Sequence, residues 1–431
     1  MGNKITFTLL ICLILSACNS SKNFQNGGKM EVQSTLKTLL PNLDVAQDDP
    51  FQFDNSSLID SKYSIEKSEP FWLIPSIYLP KNVKIGKSNN NVSIAIFKKK
   101  IYVAFRTGKT HFASKETGMF IISSSDGEHW NKELEFFKGR DFREPFLIPI
   151  GDKLHFYCFS AGTKMTEFKP ERISLYESNG NGTWNGPDSV LEKGEVHWDF
   201  KNRLGKTFLT SYIGSHYDLK HESKVKLHFN STENGKDFFP VGKQSEVYLG
   251  GVSETAFEFD KDTNIWAVTR LEDGDKTGFG SHVVFASKKD LGRWEFPLRS
   301  DDNCYMSPKM FRFQNDIFLI GRKQLGKKPF RKARLNSSIT HQRLVNWIGF
   351  SLTPKTTALY KINKEKRSVE WVMNLPGAGD TAFPSIIRLD ANRFLFANYS
   401  SPIHKRKRRS WLNGQLNETG IYLQILTFKS N

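Results

Sequence analysis

The chain has 431 residues, a formal charge of +17 and a pI near 9.5, with 13% aromatic residues that include 35 Phe. Four cysteines in this length exclude a disulfide scaffold, and the chain is long enough to bury a core without one. The basic balance predicts polyanionic partners; no nucleic-acid-binding motif accompanies it, so the sequence predicts no nucleic acid and leaves acidic glycans or anionic lipid surfaces.

In chain order, Lys4 supplies a positive start, Ile5 to Leu15 an apolar run too short to span a bilayer, and Leu15-Ser16-Ala17-Cys18 a small-residue cleavage site. This segment resembles the bacterial lipoprotein signal. The resemblance implies cleavage before Cys18, lipidation of its thiol, and a membrane-anchored place in the bacterial cell envelope, on its periplasmic or cell-surface face. Residues 19–35 then read as a polar tether and 36–431 as a single domain.

Within that domain, apolar strand, polar turn and apolar strand recur. The second strands are Ile101 to Arg106, Leu154 to Phe159, Thr207 to Tyr212, Ile265 to Arg270, Ile317 to Arg322 and Phe394 to Tyr399. Six such hairpins predict an all-β fold, a six-bladed β-propeller, with five blades as the alternative. Gln324 to Leu344 lacks periodicity and reads as an insertion before an outer hairpin over Ile348 to Trp371. Residues 31 to 80 are expected to supply an edge strand or clasp that closes the ring with the C-terminal strand near Ile421 to Phe428.

A second repeat runs through the same region: Ser124-Ser125-Asp126-Gly127-Glu128-His129-Trp130, with related segments ending at Trp184, Phe238 and Trp294. The closing aromatics recur about every 54 residues, a spacing that marks a repeat architecture. Asp or Asn caps each turn, Gly takes positive φ and the aromatic packs between sheets. In an up-and-down blade these turns lie on the rim opposite the starts of the first strands and the ends of the second.

That other rim collects the chemistry. Arg106, Tyr212, Arg270, Arg322 and Tyr399 end second strands; Arg143, Glu144, Asp199, Glu254 and Asp380 open first strands; His111, Glu272, Asp275 and His282 sit on the loops between. Guanidinium groups bind carboxylates bidentately, so Arg106, Arg143, Arg270 and Arg322 suit a sugar acid, unless each only pairs with an acid of a neighbouring blade. Two carboxylates on different blades supply the acid and the nucleophile or base of glycosidase chemistry, with Glu144 and Glu254 first and Glu272 and Asp380 behind them. Asp199, Tyr212, Asp275, His282, His111 and Tyr399 complete the expected substrate contacts, for an acidic or neutral glycan. Gly274 to His282 follows a strand with no helix behind it, which predicts a wall over the site instead of a nucleotide loop. The histidines lack ligand spacing, so no metal and no cofactor are expected. The run Lys405 to Arg409 with Trp411 reads as a solvated basic loop able to hold an anionic polymer.

The turn segments resemble the Asp-box of sialidases, and the span from about Asn90 to Phe428 is similar to the sialidase-like propeller superfamily. Phe142-Arg143-Glu144-Pro145 resembles the segment carrying the first carboxylate-binding arginine of sialidases, which implies that role for Arg143, with Arg270 and Arg322 as partners. Glu stands where that family has Ile, and the sialidase tyrosine nucleophile maps onto no single one of Tyr212, Tyr217 or Tyr399. The resemblance also extends to uncharacterised bacterial lipoproteins. Three readings follow: a glycoside hydrolase of an acidic glycan, a non-catalytic glycan-binding lipoprotein, and a lyase with a rim Tyr or His as base.

Overall fold

Period-two alternation of apolar residues builds antiparallel sheets, and in the computed structural model, which describes residues 24, 27–46, 48–54, 62–164, 168–218, 224–326, 336–405 and 409–430, six of them follow one another as blades. Blade I comprises Ser88–Phe97, Lys100–Gly108, Gly118–Ser124 and Asn131–Phe136; blade II comprises Asp141–Ile150, Lys153–Gly162, Ile173–Ser178 and Trp184–Val190. Blade III runs Val196–Arg203, Lys206–Gly214 and Val225–Thr232, with Phe239–Pro240 and Glu246–Gly250 both paired to the third strand. Blade IV runs Thr255–Phe259, Ile265–Thr269, Val283–Ala286 and Trp294–Glu295; blade V runs Met306–Phe313, Asp316–Gln324, Lys355–Asn363 and Ser368–Leu375. Each first strand touches the next, and that of blade VI (Ser385–Arg388) returns to blade I, so the ring closes with six blades and not five.

The closure is made by the chain's beginning. Tyr63–Lys67 and Phe71–Ile74 both pair antiparallel with Gly420–Ser430, the third strand of blade VI, and complete it from outside. The core lies between the blades: Phe208, Phe229, Phe257, Phe259 and Trp294 fill the space between blades III and IV, and other apolar clusters fill the remaining seams. Burying one such aromatic contributes roughly 1.5–3 kcal/mol, so these seams dominate the stability of the ring.

Two helices lie where the sequence suggested other structure. Helix α1, Lys29–Leu39, begins inside the segment expected as tether, and its Val32 and Leu36 are fully buried against blades I and VI. Residues 29–35 are thus part of a packed helix and not an extended polar segment. Helix α2, Ile339–Leu352, is capped by Ser338 and occupies Ile348 to Leu352, where an outer hairpin was expected to start. Its β-branched and aromatic residues imitate a strand, but Arg343, Asn346 and Phe350, three and four residues apart, form one buried face. A short α3, Trp411–Gln415, packs beside it.

The two mouths of the channel differ. At the lower mouth, residues 48–54 lie across the opening: Asp48 accepts the backbone N–H of Arg388, and Asp54 takes both Nη atoms of Arg312 at 2.7 and 2.9 Å. Phe51 stacks on Arg312 and Phe53 on Arg388. The turns that carry the repeated Asp, Asn and Gly are on this lower side, where Asp126 accepts from the N–H groups of Glu128 and His129 at 2.8 Å and Asn234 repeats the pattern with Lys236 and Asp237 at 2.9 Å.

Candidate active site at the upper channel mouth

Near the upper mouth the first strands are interrupted. Register slips at Asn90/Val92, Arg143/Phe146, His197/Asp199 and Met306/Lys309 each insert a bulge, and Asn91, Glu144 and Ser307 adopt left-handed φ of 46°, 49° and 49°. For non-glycine residues such backbone costs on the order of 1–3 kcal/mol and accumulates at functional sites. The bulge at Trp198 sends its indole across the channel, where Nε1 donates to the carbonyl of Pro308 at 3.1 Å and the ring meets Phe383 edge-on. Trp198 thus spans the channel from blade III to blades V and VI and forms a floor that separates the upper depression from the ion pairs below.

One group of side chains stands around Glu144. Asn91 Nδ2 donates to its carboxylate at 2.9 Å, and His197 Nε2 holds its carbonyl at 2.6 Å, which pins the strained residue. Burial and the neighbouring Glu254 push the Glu144 carboxyl up to about 7 against the pull of Arg143. Glu254 and Glu272 both pair with Arg270, and Glu254 also accepts the N–H of Ser307 at 2.8 Å. Arg270 further donates to Tyr217 Oη at 3.0 Å, and Tyr217 reaches Glu272 at 3.3 Å. Tyr212 lies in the electrostatic field of both Glu254 and Glu144, and its hydroxyl is neither bonded to a described residue nor a buried unpartnered atom.

A second group adjoins it. Asp141, fully buried, accepts from Arg106 Nε at 2.6 Å and Arg143 Nε at 2.7 Å; burial alone would raise its carboxyl, but these two guanidiniums hold it below its ordinary value. Arg143 Nη2 donates to the carbonyl of His111 at 3.0 Å. His111 Nδ1 lies 2.6 Å from Asp380 Oδ2, and the other oxygen of Asp380 accepts from Tyr399 at 2.8 Å. Among the four arginines expected to converge on a substrate, Arg143 alone keeps a fifth of its side chain exposed, with Nη1 making no hydrogen bond to a described residue.

The other expected residues are placed differently. Arg106 is fully buried and spends its donors on Asp141, Asn90 and the carbonyls of Thr110 and Phe112. Arg322 donates to the carbonyls of Thr381 and Ala382 beneath Phe350 and Trp411, so the indole expected to stack on a sugar covers an arginine instead. Both staple the ring because a residue at a strand end in one blade meets the neighbouring blade before it meets solvent. Asp199 follows the floor residue Trp198 and pairs with Lys309 at 2.6 Å and Lys201 at 3.4 Å, deep in the channel. Asp380 and Tyr399 are buried and mutually bonded behind His111, away from the solvent-facing side of the site.

Asp275 bonds to Tyr248 Oη and the N–H of Gly251, while His282 meets Thr269 and Thr277 through its two ring nitrogens. These two stiffen the Leu271–Asp275 and Gly278–Gly280 hairpin from behind. Helix α2 leans on the same hairpin through Arg343, which donates to the carbonyl of Asp273 at 2.7 Å, and sets Trp347 edge-on to Tyr217. The residues missed in the sequence, Asn91, Asp141, His197, Trp198 and Trp347, share one cause: bulges and a helix decide their direction, and neither follows from strand periodicity. His111, His216 and His282 have separate partners, and the described residues hold no cluster of three metal-ligating side chains. Cys18 lies outside the described residues.

No protein-family model and no curated protein matches the chain. Solved structures do. A Dyadobacter fermentans protein of unknown function is 14% identical, with a TM-score of 0.52 over 85% of this chain and 99% of that one. The endosialidase of phage phi92 is 8% identical, with a TM-score of 0.51 over 86% of this chain and 70% of that one. A Trypanosoma rangeli sialidase in complex with sialic acid is 12% identical, with a TM-score of 0.49 over 84% of this chain and 59% of that one. At these identities the likeness to the first two shows the fold alone, a β-propeller.

Proposed function

We propose that the protein binds an acidic glycan in the upper depression and hydrolyses a glycosidic bond there, with Arg143 holding the substrate carboxylate and Glu144 protonating the leaving oxygen. The observation that carries this reading is Glu144 itself: a partly buried carboxyl near 7, on strained backbone, beside an arginine with an unengaged Nη1. A general acid works best when its pKa sits near the operating pH, and burial beside a second carboxylate achieves that here. Glu254 and Glu272, two carboxylates sharing the single charge of Arg270, keep net negative charge close to the reacting carbon, where it favours an oxocarbenium-like transition state. A fold shared with a phage endosialidase is compatible with this chemistry. The test is turnover of a panel of uronate- and sialate-containing glycans by the purified chain, followed by Glu144→Gln; turnover indifferent to that change sinks the assignment.

A second reading, a glycan-binding protein without turnover, draws on the pairing of Glu254 and Glu272 with Arg270 and of Asp380 with His111 and Tyr399. Saturable binding of an acidic glycan with no product after long incubation selects it. The Leu15-Ser16-Ala17-Cys18 segment supports membrane anchorage through a lipidated Cys18 in the cell envelope. Mass spectrometry of the mature N-terminus tests this, with Cys18→Ser as the soluble control.

A further inference from the structure

Hydrolysis with Glu144 as acid needs a base to take a proton from the attacking water, and the carboxylates do not supply it. Glu254 and Glu272 are engaged by Arg270, and both oxygens of Asp380 are occupied by His111 and Tyr399. His111 is different. Its backbone N–H donates to the Gln415 carbonyl at 2.9 Å, its own carbonyl accepts from Arg143, and its Nδ1 is held at 2.6 Å by Asp380. Three anchors fix the ring. Nε2 has no hydrogen-bond partner among the described residues and is not a buried unpartnered atom, while a tenth of the side chain is exposed. A carboxylate at Nδ1 fixes the tautomer with the proton on Nδ1, which leaves the Nε2 lone pair facing solvent beside the arginine assigned to the substrate carboxylate.

On the hydrolase reading above, we propose that His111 is the base of this site, its Nε2 accepting a proton from the attacking water. As the water oxygen bonds to the anomeric carbon, the glycosidic C–O bond breaks. One water proton passes to Nε2 and the Glu144 proton passes to the leaving oxygen. Two sugar hydroxyls result, and the imidazolium and carboxylate exchange protons with solvent before the next cycle. Asp380 is the positioning residue, and Tyr399 holds Asp380 in turn.

The charged and titratable groups around the imidazole are Asp380, Arg143, Arg106 and Tyr399. Burial and the two arginines keep His111 below its usual value of 6.5 although Asp380 opposes them, so the ring is an unprotonated base at neutral pH. The pH profile of kcat/KM should therefore rise as His111 loses its proton below 6.5 and fall near 7 as Glu144 ionises.

Nitrogen-15 ring spectra of the full chain, with the His111 signals assigned by their loss in His111→Gln, should show protonated Nδ1 and bare Nε2 at pH 7; a proton on Nε2 overturns the proposal. With a turned-over glycan, His111→Gln should lose roughly 10²–10⁴-fold in kcat and its acidic limb. Asp380→Asn should move that limb to lower pH, which a purely structural defect would not do. Turnover that survives His111→Gln with the acidic limb intact removes the base role and leaves the hydrolase reading standing. No turnover by the wild-type chain removes both.

Discussion

The two halves of the channel carry similar residues and use them in opposite ways. Below Trp198, Lys201, Arg203, Lys309 and Arg312 pair with Asp199, Glu258 and Asp54 under a strap of the chain itself, where Asp48 accepts the backbone N–H of Arg388 and the Arg388 guanidinium stacks on Phe53. Glu258 accepts from Arg203 twice at 2.8 Å; burial would raise its carboxyl, but Arg203 and Lys201 bring it down to about 2. Above Trp198, one carboxyl is pushed up to about 7, one guanidinium nitrogen is unengaged and one imidazole nitrogen faces solvent. Charge that is matched and covered makes structure. Charge that is left short of a partner where a ligand can reach it is poised to bind one.

The largest expected effect is on chemistry in the upper half: Glu144→Gln should reduce glycan turnover by roughly 10²–10⁴-fold, measured at saturating substrate, without lowering the melting temperature. Next comes the lower half, where Glu258→Gln removes one partner of a buried ion pair and should destabilise the fold by about 3–5 kcal/mol in denaturant titration. Because the folded value of Glu258 lies below its ordinary 4.5, its contribution is present above that pH and is lost as pH falls toward 2. An equal loss of stability from both substitutions would erase the distinction between the halves.

A smaller effect is expected from Arg143→Lys, which keeps the charge but not the fork and should weaken acidic-glycan binding by about 1.5–3 kcal/mol in calorimetry while leaving neutral glycans unaffected. The smallest concerns strain: Glu144→Gly relieves φ of 49° and should stabilise the chain by about 1 kcal/mol. The pH dependence has the opposite sign to that of Glu258. A carboxyl raised to about 7 binds its proton more tightly when folded, so stability declines as pH rises from 4.5 through 7, and Glu144→Gln should gain on the wild type across that window.

The ring was legible because apolar hairpins recur at a regular spacing, and the same topology placed the repeated Asp and Asn turns on the rim opposite the starts of the first strands, as the structure shows. The sharing of Glu144, Glu254, Tyr212 and Arg270 in one region follows from strand ends, and that of Glu272 from the loop after Arg270. What strand ends do not encode is direction. Arg106 and Arg270 hold equivalent places in the pattern, yet one is sealed between Asp141 and two carbonyls while the other borders the depression. A bulge adds one residue and turns every side chain beyond it to the other face, so Trp198 becomes a floor and Asp199 falls beneath it. Helix α2 escaped notice because Ile339, Val345, Trp347 and Ile348 carry strand-like preferences, and only its buried stripe of Arg343, Asn346 and Phe350 reveals the period.

Trp198 has a consequence for what sort of molecule fits. A pore open at both ends would let a polymer thread through and be met anywhere along its length. With Trp198 across the channel, a glycan taken by the proposed site would enter from the upper side, so a long one would present either its terminus or a projecting side group while the remainder of the chain stays outside. Product size over time would reveal that geometry: single residues or short branches released from the start, with the parent polymer shortening only slowly.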